Sequence, residues 1–222
     1  MISIGQTLAQ LQFLNKSART VSQGKMKIIS DDELKKVAAR VSNDLAAIQG
    51  YLGQKSSKEG KIRFPRNFIR TATYFRGRFW FIEDEELKAN ISYTLIQSDV
   101  YRWILNRTDI FGTAKEMIIK QGICLFAFIS ESLSKDYLKA EVGKKRPYKG
   151  RTKYLREKEI ITSQIEAELN WLWDRRESEH IFLANEREHQ SFKLPEYNRA
   201  LKAIRGLVNS LDLHSKSKLA NR

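Results

Sequence analysis

The chain is poor in the residues that staple or ligate. One cysteine, Cys124, excludes a disulfide framework and a cysteine-rich zinc module. Three histidines, His180, His189 and His214, leave little for a histidine metal site. Only three prolines occur, Pro65, Pro147 and Pro195, each where a periodic segment begins or breaks. No glycine-rich phosphate loop or dinucleotide fingerprint is present. The longest apolar stretches read as far short of the ~20 residues a membrane span needs. Met1-Ile2-Ser3-Ile4-Gly5-Gln6 lacks the basic-then-apolar pattern of a secretory leader. The expectation is a cytoplasmic protein with no membrane partner.

Acidic residues are also in deficit. Lysine and arginine total 40 of 222 residues against 26 aspartates and glutamates, a net charge of +14. Such a charge points to a polyanionic partner, with nucleic acid foremost, because each phosphate neutralised releases a condensed counterion. The charge is clustered. From 144 to 156, seven of thirteen residues are basic and none is acidic. Lys144, Lys145, Arg146, Lys149, Arg151 and Lys153 are the candidate nucleic-acid contacts. A second region carries Arg63, Arg66, Arg70, Arg76 and Arg78 among Phe64, Phe68, Tyr74, Phe75, Phe79 and Trp80. Cations among aromatics suit single-stranded nucleic acid, whose bases stack on rings.

The pattern is helical almost throughout, so the fold class is all-α. Ser30 and Glu33 have capping-box spacing ahead of an apolar stripe at Leu34, Val37, Val41, Leu45 and Ile48. Gly50 and Gly53 end it. A second stripe runs from Leu87 to Ile104. After Asn106-Arg107-Thr108-Asp109, with Thr108 or Asp109 as the expected cap, a third runs from Ala114 to Leu133. Gly143 to Gly150 reads as a basic loop. Two further stripes follow, Ile161 to Leu172 and Tyr197 to Leu211, the last opened by Pro195. Short β-like runs at 26–29 and 78–82 are not separable from helix edges. The expected organisation is an N-terminal helical region over 1–82, an up-and-down bundle of four long helices over 83–213, and a polar tail over 214–222.

One constellation suggests chemistry. Leu172 to Leu183 carries Arg175, Arg176, Glu177, Glu179 and His180 after an apolar helix. Histidine exchanges protons near neutral pH, and arginine holds a phosphate and stabilises charge developing on it. With the RNA 2′-hydroxyl as nucleophile, neither a metal nor another cofactor is called for. Arg176 and His180 are four apart, which a continuous helix places on one face. Arg175 and His180 are five apart, about 140° round an ideal helix, and meet only if the helix ends between them or a second subunit completes the site. A surface cluster of charges at a helix end is the other reading. Cys124, in an apolar helix, and Tyr197, on an apolar stripe, read as core; His189 reads as exposed.

Arginine, four to six residues, then histidine, near the end of a helix in an all-α bundle, resembles the signature of HEPN proteins. Arg175 to His180 fits it with four residues between, and the resemblance covers about residues 85 to 213. It implies a metal-independent endoribonuclease, acting as a toxin or in phage defence. It implies Arg175 as phosphate ligand, His180 as acid–base group, Arg176 and Glu179 as supporting residues, and a homodimer that closes a shared cleft. An acidic antitoxin or regulatory protein is a possible partner. The residue after the motif arginine is often Asn, Asp or His in active members; here Arg176 either adds a phosphate contact or marks a non-catalytic member. The alternative is a basic helical module that binds nucleic acid or an acidic protein without cleaving.

Overall fold

A computed structural model describes residues 27–62, 68–141, 146–177 and 192–221. Among them are seven α-helices and no strand, so the chain is all-α. It divides into two compact units, Met1–Phe64 and Pro65–Arg222.

In the first unit, α1 spans Asp31–Leu52. Ser30 Oγ accepts the Glu33 N–H at 3.2 Å. Glu33 Oε2 reaches back to the Ile29 N–H at 2.9 Å, one residue beyond the usual box partner. Asp31, Asp32 and Glu33 place negative charge on the positive end of the helix dipole. The chain leaves at Gly53, whose φ of 55° favours glycine. No residue of α1 is buried.

The second unit holds α2 (Ala72–Arg78), α3 (Glu85–Arg107), α4 (Gly112–Tyr137), α5 (Tyr148–Glu157), α6 (Ser163–Glu177) and α7 (Leu194–Ala220). Thr71 Oγ1 caps α2 through the Tyr74 N–H, and Asp84 Oδ1 caps α3 through that of Leu87. The expected cap of α4 is not made: Phe111 takes that position with no side-chain bond, and Thr108 Oγ1 instead donates back to Ile104 O at 2.7 Å. The hydroxyl thus serves the end of α3. Pro195 lies in the first turn of α7, as expected of a residue without an N–H to satisfy.

Helix α4 is the centre, packing on α3, α5, α6 and α7. Ile123, Cys124, Phe126 and Ala127 are wholly excluded from solvent. Large apolar side chains buried this way each contribute roughly 1.5–3 kcal/mol. Gly122 permits a close approach of α7: a Cβ there would lie 2.4 Å from Tyr197 Cε2. Tyr197 and Cys124 are core residues, as their stripes indicate.

Three expectations change. Phe75, Phe79 and Ile82 join the core of the second unit, so α2 and the turn after it belong with the bundle rather than with an N-terminal region ending near 82. Residues 214–220 are helical: Tyr137 Oη lies 2.7 Å from His214 Nδ1 and Lys218 Nζ pairs with Glu141 at 3.2 Å, which docks the supposed tail. Finally, α4 is long and apolar enough by length and composition to cross a membrane, with 61% of its apolar window buried within the fold. Isolated polar residues break its apolar run into short stretches in the sequence; packing on four neighbouring helices accounts for the apolarity.

Candidate nucleic-acid interface

The basic segment is not only a loop. Tyr148, Arg151, Thr152 and Leu155 recur at helical spacing and are buried, so α5 has an inner face. The Tyr148 ring stacks on Trp173 of α6, centroids 4.4 Å apart and planes 14° from parallel. Its hydroxyl lies 2.9 Å from Ser130 Oγ of α4, and burial pushes the phenol far above its usual range. Thr152 Oγ1 donates to Asn170 Oδ1 at 2.8 Å, a second tie to α6.

These anchors set the basic residues beside the end of α6. Lys149 Nζ pairs with Asp174 at 2.5 Å, with both side chains about half exposed. Lys153 is 64% exposed and its nearest carboxylate, Glu157, is 3.8 Å away. The Arg146 guanidinium lies 5.0 Å from the Tyr154 ring. Lys144 and Lys145 lie outside the described residues.

Arg151 departs from its expected role. It is 7% exposed. Nε donates to Ser134 Oγ at 3.2 Å, Nη1 to Arg146 O at 2.6 Å, and Nη2 lies 3.8 Å from Glu131. Burial lowers its pKa, against the pull of Glu131. Its position on the inner face of α5 makes it a clamp between α4 and α5 rather than a surface contact.

The two motif arginines, adjacent in the last turn of α6, point in different directions. Arg175 faces α7: Nη2 is 3.0 Å from Glu196 Oε1, and its guanidinium lies 4.5 Å from the Phe192 ring. Glu196 also accepts the Lys193 N–H at 3.0 Å, so one carboxylate caps α7 and holds Arg175. Arg176 lies against aromatics, 4.6 Å from the Trp173 ring and 4.8 Å from that of Phe128. Among the described residues no carboxylate lies within ion-pair distance of Arg176. Glu179, His180 and His189 lie outside the described residues.

The Tyr148–Trp173–Arg176 tier was not anticipated from the sequence. Its signal is the spacing of Tyr148, Thr152 and Leu155, hidden among charges. The two rings cover each other, Tyr148 being buried, so the tier serves as a platform that sets the Arg176 guanidinium beside exposed lysines, which suits a phosphate backbone. No protein-family model matches this chain, and neither does any curated protein or solved structure.

Proposed function

We propose that this protein is a metal-independent endoribonuclease of the HEPN type, with RNA lying along the α5–α6 face and cleaved at the end of α6. One observation carries the reading: the Tyr148–Trp173 stack and the Lys149–Asp174 pair set the most basic segment of the chain beside the Arg175–Arg176 turn. Arg146, Lys149, Lys153 and the undescribed Lys144 and Lys145 supply backbone contacts. Arg176 and Arg175 hold the scissile phosphate, Arg176 being the one with no carboxylate at ion-pair distance among the described residues.

The reaction uses the substrate's own nucleophile. A base takes the 2′-hydroxyl proton, and the 2′-oxygen bonds to phosphorus. The phosphorus–O5′ bond breaks as that oxygen receives a proton. The products are a 2′,3′-cyclic phosphate and a free 5′-hydroxyl. His180 is the proton-exchanging group, and a second copy in a homodimer supplies a second histidine, so that one takes and the other gives. A role as a toxin or defence effector, restrained by an acidic antitoxin, follows from the resemblance.

The Arg175–Glu196 pair favours a second reading, a non-catalytic module that binds RNA or an acidic protein, because the motif arginine is already engaged within the fold. Cleavage of labelled single-stranded RNA in EDTA separates the two. Wild type is expected to cut, and His180→Ala and Arg176→Ala to lose cutting by about 10²-fold or more. Binding without cutting by wild type and both variants supports the module. Equal cutting by wild type and His180→Ala overturns the site.

A further inference from the structure

A separate concave region lies where α2 faces α3, α4 and α7. A cavity of about 290 Å³ opens there, with apolar walls that include Phe75, Phe79, Ile129 and Ile204. That volume is at the small end of ligand pockets, enough for one flat ring. Arg70, Arg78 and Arg205 also line it, together with Asn209 and Tyr74, and no carboxylate is among the lining residues.

The three arginines are not equivalent. Arg70 is committed: its Nε and Nη2 donate to buried Asp99 at 2.9 and 2.6 Å, its backbone N–H donates to the same carboxylate at 3.0 Å, and its guanidinium lies 4.7 Å from the Phe75 ring. Arg78 has one amide partner, Asn209 Oδ1 at 3.3 Å, and Arg205 is exposed. Neither has a carboxylate within ion-pair distance among the described residues. The nearest acid Arg78 influences is Asp212, already held by Lys216 at 2.8 Å and by Trp80 Nε1 at 2.6 Å. The walls are fixed in advance, since Arg70–Asp99 moors the approach to α2 onto α3, Arg78–Asn209 moors α2 to α7, and Trp80–Asp212 moors the turn after α2 to α7.

An apolar slot with two such cations at its mouth fits a flat ring bearing an anionic group. We propose that this cavity binds a nucleotide, the base inserted between α2 and α7 and its phosphate held by Arg78 and Arg205. From the preceding reading this takes only that the polyanion is RNA. It does not depend on cleavage or on the α6 arginines. Two sources share the chemistry, a nucleotide within a single strand and a free nucleoside monophosphate.

The test is equilibrium binding of a fluorescent ten-nucleotide uridine RNA and of UMP, in EDTA and in a His180→Ala background, so that cutting does not enter. Arg78→Gln/Arg205→Gln removes the phosphate contacts. Leu201→Trp, at a half-buried lining position, fills the slot without changing charge. If the nucleotide comes from a strand, both variants weaken RNA binding about tenfold or more. The double variant alone also lowers the salt dependence, by about 0.7 in the log–log slope for the one phosphate released. If it comes from solution, both variants weaken UMP binding and leave RNA binding unchanged. Wild-type affinity for both probes in both folded variants overturns the proposal. Loss of wild-type RNA cleavage with these effects intact would count against the ribonuclease reading alone.

Discussion

Gly122 and Tyr197 show how one missing methyl shapes the bundle. The tyrosine ring occupies the space a Cβ would need. Gly122→Ala improves helix propensity by about 1 kcal/mol, but overpacking of this kind costs roughly 1–3 kcal/mol, and the buried ring has nowhere to move. The expected outcome is a lower Tm by thermal denaturation, despite the better helix former. Arg151 gives a sharper contrast with its neighbours. Arg151→Met removes the clamp between α4 and α5 and is expected to destabilise by roughly 1–3 kcal/mol, and lysine does not restore a forked donor set. Lys149→Gln/Lys153→Gln is expected to leave stability within about 0.5 kcal/mol while lowering the salt slope of RNA binding by about 1.4. Chemical denaturation and salt-dependent binding, run side by side, check both. The sequence reading placed all three residues together because charge does not reveal which way a side chain points. The 3-4-7 spacing of Tyr148, Arg151, Thr152 and Leu155 does, once the segment is read as a helix.

At the scale of elements, the long helices were legible because their apolar stripes are long, with Ser30 and Pro195 marking two of the starts; α4 was legible by its stripe alone, since its expected cap is not made. The short ones were not. α5 is ten residues with five charged side chains, and its helicity comes from burial of four positions against α4 and α6. α2 is seven residues of which Phe75 is buried in the core, while its arginines reach α3 and α7. The end of α7 was read as a tail because its polar residues conceal a docking contact. There, burial and nearby Lys218 hold the His214 pKa below its ordinary value of 6.5, with Glu141 opposing. A depressed histidine pKa means the unfolded chain takes up the proton first as pH falls. The contribution is therefore fully present above about 6.5 and is lost as pH falls toward the folded value. The fall in Tm between pH 7.5 and 5.5 is expected to shrink in His214→Gln. An unchanged fall would mean that His214 is not desolvated as described.

For the whole molecule, charge and fold class were the most readable properties, and the site the least. A net charge of +14 is a sum, and no sum shows that its densest cluster is pinned beside the Arg175–Arg176 turn by two aromatic rings. The pairing of Arg175 with Glu196 was equally hidden, since it joins residues 21 apart through the approach of α6 and α7. With RNA on both the proposed α5–α6 face and the proposed α2–α7 cavity, variants in the two are expected to combine additively in binding free energy. A double-mutant cycle between Lys153→Gln and Arg78→Gln checks this, with a coupling above about 0.5 kcal/mol arguing for one shared site.

The most direct test of the central claim is the chemistry of the cut ends. Single-stranded RNA is incubated with the purified protein in EDTA, beside the same oligonucleotide carrying 2′-deoxy sugars. The account predicts 2′,3′-cyclic phosphate and 5′-hydroxyl ends from RNA, and no product from the deoxy strand. Cutting of the deoxy strand, 5′-phosphate ends, or intact RNA throughout would contradict it.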